Sequence, residues 1–281
     1  MKKYQKPEID LIAITNGPGL EPALWVGVNF AKALACFWDL QVMPVNHVEA
    51  HITANWLDHK PCAISHKLIF PAISLIVSGG HTQLVLMRGF GKYEILGETR
   101  DDAAGEAFDK LAKMLNLGYP GGPIVAAYAA KLKVKSEKLK VKLPRPMINS
   151  KDYDFSFSGL KTAVLYKIKE LKTINHKLKT ELCHEFQRAV IDVLVSKTIR
   201  AAREYKAKTV ILGGGVAANA GLRAKLEKET IKTGAKLLLP EIKFTGDNAA
   251  MIALPAYFRF LKHKKIGDGQ GLIADSNLKL K

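Results

Sequence analysis

Short β-branched runs that end in glycine and lead into helical periodicity recur along this chain, and that order commits it to an α/β architecture. Ile9–Thr15 (IDLIAIT) reads as a buried strand. Asn16-Gly17-Pro18-Gly19 breaks it, and Ala23–Trp38 then sets Leu24, Gly27, Phe30, Ala31, Leu34 and Ala35 at helical spacing. Gln41–Val45 is the next strand, and Asn46 is placed to cap a helix from His47. After a loop over Leu57–Pro71, Ala72–Val77 and Thr82–Met87 form a hairpin through Ser78-Gly79-Gly80-His81. Further on, helices are predicted over Asp101–Leu115, Gly159–Leu171, Thr180–Tyr205, Ala220–Thr230 and Gly246–Phe260. Thr209–Leu212 is a strand and Lys151–Ser158 a polar, aromatic turn or short strand.

With 281 residues, 48% apolar and 25% charged, the chain can bury a core, and disorder as its main state is excluded. No apolar stretch approaches the ~18 residues of a membrane span. Met1–Asp10 is charged and lacks an apolar signal region. Cys36, Cys62 and Cys183 form neither a disulfide framework nor a zinc-finger spacing. The expectation is a soluble, cytoplasmic protein with no membrane contact. Forty-three basic against 26 acidic residues leave a formal charge of +17, which attracts polyanions and makes nucleic acid the natural partner class. The densest basic run, Lys131–Arg145, reads either as a solvated edge strand or as a phosphate-tracking surface.

Several constellations bear on chemistry. His47 and His51 (HVEAH) are one helical turn apart, so both imidazoles can meet one cation, although a capping or surface role is the alternative. Val48 follows the first histidine where a zincin has glutamate, and Glu49 points to another face. A third ligand must come from elsewhere, with Asp247 in Phe244-Thr245-Gly246-Asp247-Asn248 as candidate; two histidines and a carboxylate suit Fe(II) or Zn(II) and leave positions open. Ser78-Gly79-Gly80-His81-Thr82 can turn backbone N–H groups toward an anion, or be an ordinary hairpin turn. Gly213-Gly214-Gly215, between a strand and a helix, suits a nucleotide passing over the turn or a tight connection. Asp102, Glu106 and Asp109 share a helix face, either as a salt-bridged exterior or as acceptors for ribose hydroxyls. Tyr119-Pro120-Gly121-Gly122-Pro123 is a rigid loop on which a flat base could pack.

Taken together, the chain resembles the tRNA N6-adenosine threonylcarbamoyltransferase family (TsaD). The resemblance runs through NGPGL (Asn16–Leu20), NHVEAH (Asn46–His51), VSGGHTQL (Val77–Leu84) and GETRDDAAGEAFDK (Gly97–Lys110). It continues in YPGGP (Tyr119–Pro123), PRPM (Pro144–Met147), DFSFSGLKT (Asp154–Thr162), GGGVAAN (Gly213–Asn219) and TGDNAAMIA (Thr245–Ala253). It implies an actin-like ATPase (ASKHA) fold, two α/β lobes around a nucleotide cleft. It implies a metal on His47, His51 and Asp247, Fe(II) in preference to Zn(II). Ile76, Val77, Ser78, Gly79, Gly80, Asp109, Gly122 and Asn219 are implied to contact the nucleotide part of threonylcarbamoyl-AMP. The implied reaction is transfer of the threonylcarbamoyl group to N6 of the adenosine beside the tRNA anticodon, with partner proteins of the same pathway. A mixed anhydride carries its own leaving group, so positioning and charge stabilisation matter more than a covalent nucleophile. His81 is the one candidate general base.

The resemblance also implies a departure. Family members open with a further strand and hairpin rich in Gly, Asp, Ser and Cys, and then a glycine-proline-glutamate stretch, all of which would precede Met1. The expectation is a first lobe shortened at its N-terminus, by a misplaced gene start or a true truncation, which exposes apolar surface on Ile9–Thr15 and Ala23–Trp38. The expected division is 1–68 for the first lobe, 69–247 for the second with a helical insertion, and 248–281 for a returning helix and a short polar tail from Gly267. Asp58–Phe70 reads as a surface insertion. A non-catalytic nucleotide- or partner-binding remnant is the alternative function, and a metallopeptidase, disfavoured by the HVEAH order, is the third.

Overall fold

The computed structural model describes residues 7–57, 69–132, 141–170, 175–262 and 269–280. Most of the basic run at 131–145, residues 58–68 of the insertion and Cys62 lie outside them. Contacts divide the chain into two units, Met1–Ser65 with Asp247–Lys281, and His66–Gly246. The boundaries expected at 68/69 and 247/248 thus fall at 65/66 and 246/247, which puts Asp247 in the same unit as His47 and His51.

In the first unit, β1 (Leu11–Gly17) pairs in parallel with β2 (Gln41–Asn46), joined by α1 (Glu21–Trp38). Alternation sorts the two faces. Ile12, Ile14 and Val42 pack with Ala31 and Ala35 of α1. Leu11, Ala13, Met43 and Val45 pack instead with α2 (His47–Thr53) and α8 (Ala249–Lys262), through Ala50, Met251 and Ala256. Residues 269–280 close over this unit. Asp275 N–H donates to Asn16 O at 2.8 Å, and a Cβ on Gly17 would sit 1.9 Å from Asp275 O, so only glycine fits there. The tail expected to be merely polar is anchored, with Leu272 packed in the core and Leu280 buried. The outward face of α1 leaves Val26, Phe30 and Phe37 exposed, at 73%, 65% and 69%.

The second unit is built on a five-stranded sheet of order β5-β4-β3-β6-β7: β3 (Ala72–Val77), β4 (Thr82–Gly89), β5 (Lys92–Glu98), β6 (Thr209–Gly213) and β7 (Lys236–Leu238). β3 pairs antiparallel with β4 and parallel with β6. Every residue of β3 and β6 is buried, which is why both read as unbroken apolar runs. The sequence reading missed β5, β7 and the helix α4 (Gly121–Ala130). α3 (Ala104–Met114) begins later than the expected Asp101. α5 (Ser158–Glu170), α6 (His176–Glu204) and α7 (Ala220–Ile231) match within a few residues. α6 crosses the core, burying Leu182, Phe186, Val190, Val193 and Leu194. Phe186 meets Phe108 of α3 edge-on at 5.5 Å, and truncating either to alanine costs about 3–5 kcal/mol.

The segment 150–158 is held by charges that the sequence reading did not single out. Lys197 of α6 is wholly buried and donates to Ser150 Oγ at 2.8 Å and to the carbonyl of Asp154. Its burial pushes the ammonium pKa down, an effect that nearby Asp152 opposes. Asp101 Oδ1 accepts from Phe157 N–H at 2.8 Å and Ser158 N–H at 3.2 Å, and Oδ2 from the hydroxyls of Ser156 and Ser158 at 2.5 and 2.6 Å. One carboxylate so closes the N-terminus of α5. No helix among the described residues is long and apolar enough to cross a membrane.

Candidate metal centre and nucleotide loops

Asn46 decides where α2 begins. Its side-chain oxygen accepts from Val48 N–H at 2.9 Å and Glu49 N–H at 3.3 Å, which makes His47 the first helical residue. His51 follows one turn later, and the two rings meet edge-on with centroids 4.7 Å apart. Asp247 stands just before α8, whose start is fixed by Asn248 Oδ1 accepting from Met251 N–H at 2.9 Å. Asp247 Oδ1 lies 3.3 Å from His47 Nε2 and 3.4 Å from His51 Nε2. The three residues expected from sequence therefore offer ligand atoms all within 4.8 Å of one another.

This donor set fits a divalent cation. Ligand bonds of about 2.1 Å opening at near-tetrahedral angles put donor atoms about 3.4 Å apart, close to the observed separations. His51 is buried, and among the described residues neither of its ring nitrogens has a hydrogen-bond partner, an arrangement costly for an imidazole unless something else occupies the site. The imidazoles of His47 and then His51, facing Asp247 Oδ1, outweigh desolvation and hold the Asp247 carboxyl well below the usual carboxylate range, so it is ionised and ready as a ligand. Glu49 is drawn away: it pairs with Arg259, which also donates to Pro44 O at 2.9 Å. No carboxylate of the HVEAH helix is thus free to act as the base of a zincin.

In the second unit the glycine loops converge on the end of β3. Ser78 Oγ accepts from His81 N–H at 3.0 Å and Gly80 N–H at 3.3 Å, shaping the turn. Gly105 N–H donates to Ser78 O at 3.1 Å, and Ala104 N–H to Thr82 Oγ1 at 2.9 Å, which docks the start of α3 onto that turn. Gly214 has φ +89°, and a Cβ there would lie 2.3 Å from Val77 O. Gly79, Gly80, Gly122 and Gly215 have nothing within 4 Å of a built Cβ, so these backbones are open to a ligand.

The remaining expected nucleotide residues divide. Ile76 and Val77 are fully buried strand residues whose side chains reach no open surface. Asp109 Oδ1 accepts from Gly121 N–H at 2.7 Å, capping α4. Asp109 also lines a cavity of about 450 Å³ with Glu106, Lys110, Lys113, Asn116, Gly118 and Tyr119. Asn219 caps α7 through Leu222 N–H at 3.0 Å and donates to Gln187 at 2.8 Å. Asp102 and Glu106 both pair with Lys110, at 2.6 and 2.8 Å, and Glu106 lines the same cavity as Asp109. His81 is half-buried beside the turn. Sequence reasoning gave Gly105 no role and read Gly121 as part of a rigid loop, whereas each lies in the first turn of a helix where a Cβ would clash with neighbouring backbone.

The TsaD profile, described as tRNA N6-adenosine threonylcarbamoyltransferase, matches residues 2–254. The chain belongs to the TsaD family. A tRNA N6-adenosine threonylcarbamoyltransferase of Syntrophomonas wolfei is 47% identical over 252 residues, 90% of this chain and 71% of that protein. TsaD relatives from Thermosipho africanus and Bacillus subtilis are 45% and 47% identical over 97% and 91% of the chain, covering 79% and 71% of their own lengths. Among solved structures, T. kodakarensis HypF superposes with a TM-score of 0.62 at 16% identity over 89% of this chain and 40% of its own. A full-length HypF in a phosphate- and nucleotide-bound form gives 0.61 at 12%, over 92% and 48%. At that identity the likeness concerns the fold alone, an actin-like ATPase fold.

Proposed function

We propose that this chain transfers the threonylcarbamoyl group from threonylcarbamoyl-AMP to N6 of the adenosine beside the anticodon of tRNA. The observation that carries this reading is the TsaD match over residues 2–254. In the reaction N6 attacks the carbamoyl carbon, the bond from that carbon to the phosphate oxygen breaks, AMP leaves, and N6 gives up a proton. Phosphate is already a good leaving group, so the residues need only bind, orient and stabilise charge.

His47, His51 and Asp247 are proposed to hold one divalent metal, Fe(II) in preference to Zn(II). Two imidazoles and one carboxylate on one side of the ion are the donor set of non-haem Fe(II) sites. When bound, such an ion supplies Lewis acidity and a template for phosphate or carbonyl oxygen. The exposed turn at Gly79 and Gly80, with open space where a Cβ would be, supports close approach of a phosphate to its backbone. The oxygen of Asp109 left over from the Gly121 bond suits a ribose hydroxyl. His81 stays the candidate for accepting the N6 proton.

Cytoplasmic partner proteins of the same pathway complete the proposal. The outward face of α1 carries Ala23, Val26, Phe30, Ala33 and Phe37 at the three- and four-residue spacing of a helix-pairing seam, which suits a helix of such a partner. The test is nucleoside mass analysis of unmodified tRNA incubated with the chain, threonylcarbamoyl-AMP, Fe(II) and the pathway partners. A threonylcarbamoyladenosine product that depends on His51 is expected. Nucleotide binding with no product in the complete mixture would favour a non-catalytic role and overturn the reading.

A further inference from the structure

A second recess lies in the second unit, remote in sequence from the metal motif and outside every motif assigned above except PRPM. It encloses about 930 Å³ between α6, α7 and the segment after Leu143. Its apolar lining is Ile148, Val195 and Ile199, and its rim carries Arg145, Arg200, Arg203 and Lys225.

The acids along this groove are already engaged. Asp192 accepts from Arg145 Nε at 2.9 Å and from Lys225. Glu204 accepts from the Tyr153 hydroxyl at 2.5 Å, and Glu229 pairs with Lys232 at 2.7 Å. The cations are less satisfied. Arg200 donates to the carbonyls of Ser150 and Asp152, its guanidinium lies over the Tyr153 ring at 4.6 Å and acts on the Tyr153 hydroxyl, and its buried Nε has no partner among the described residues. Arg145, though paired with Glu185 and Asp192, keeps a buried Nη2 with no partner among the described residues. Arg203, exposed and three residues from Arg200, makes no side-chain hydrogen bond or ion pair among the described residues. Two guanidinium groups near one another on α6 therefore lack a carboxylate, above an apolar floor. That is the complement of a phosphodiester attached to a sugar: the guanidinium fork takes the phosphate oxygens and the aliphatic floor takes the ribose face.

We propose that the α6–α7 groove docks the phosphate backbone of the tRNA substrate. This rests on the reading of tRNA as substrate, and the charge of +17 favours RNA over an acidic peptide as occupant.

The experiment measures binding of an unmodified tRNA transcript to the full chain across a salt series, for wild type, Arg203→Glu, Ser196→Glu and Lys92→Glu. Ser196 is an exposed groove residue, so its variant adds a carboxylate without removing any contact. Lys92 is exposed on β5, at the opposite edge of the sheet from β7, and its reversal changes net charge as much as Arg203→Glu does. Both groove variants should weaken tRNA binding about tenfold. Arg203→Glu should also lower the salt slope by about one, with Lys92→Glu near wild type. Melting temperatures measured alongside confirm that each variant is folded. Equal affinities for groove and Lys92 variants would overturn the proposal and leave the transferase reading standing. Loss of binding to an acidic partner protein with tRNA affinity intact would overturn it in favour of a protein-docking groove. A wild-type chain that, with its pathway partners, neither binds nor modifies tRNA would sink the functional reading, and this proposal with it.

Discussion

The buried imidazole of His51 points its Nε2 at Asp247 Oδ1 across 3.4 Å, although the two residues come from opposite ends of the chain. Asn46 and Asn248, each capping its own helix, set both partners. His51→Ala and Asp247→Ala should therefore each abolish stoichiometric iron or zinc, lowering affinity on the order of 100-fold or more, beyond the 10–100-fold that changes around a ligand cost. Elemental analysis with far-UV circular dichroism checks this. Unchanged metal content in both folded variants would reject the ligand assignment.

Two adjacent glycines should respond in opposite ways. Gly214 sits at φ +89° against Val77 O, so Gly214→Ala strains the backbone and drives a methyl into a carbonyl. A loss of at least about 1–3 kcal/mol is expected by urea denaturation. Gly215 has open space where its Cβ would be. Gly215→Ala should leave stability within about 0.5 kcal/mol while weakening AMP binding by calorimetry. Equal stability losses at both positions would remove the argument that Gly215 is small for a ligand.

The outer stripe of α1 gives a third expectation. Phe30 is 65% exposed, so Phe30→Glu breaks no packing within its own unit. Co-elution with a pathway partner should be lost while metal content and melting temperature stay as in wild type. Co-elution at wild-type level would exclude this face as the docking surface.

Much of this was legible from sequence because the signals were local. The strand runs, the Asn46 cap and the i, i+4 histidines need only neighbouring residues. Asp247 was only a candidate third ligand from its own segment, and the family resemblance is what set it beside the two histidines. The misses are those that tertiary context decides. β5 and β7 lie at sheet edges, where burial is partial and the apolar pattern fades. α4 was hidden by the glycines and prolines of YPGGP, because its first N–H is satisfied by Asp109, twelve residues earlier. A buried Lys197 reads as a surface lysine until the carbonyls that receive it are in place. The roles of Asp109 and Asn219 as caps were likewise unreadable from their motifs alone.

The carboxylate of Asp101 gives a pH-dependent expectation with a definite sign. Burial alone would raise its pKa, but the Ser156 and Ser158 hydroxyls and the Phe157 and Ser158 amides outweigh that and leave it below the ordinary aspartate value. The folded state thus prefers the ionised form more than the unfolded chain does. Its stabilising contribution is complete above the unfolded value and is lost as pH falls through the folded one. Asp101→Asn removes the charge at the start of α5 and should cost about 1 kcal/mol at neutral pH, the usual worth of an N-terminal cap. As wild-type Asp101 becomes protonated, the two proteins become alike, so the gap should narrow when denaturation is repeated at progressively more acid pH below 3.8. A gap that stays constant, or widens, in acid would show that the Asp101 charge does not hold α5 in place.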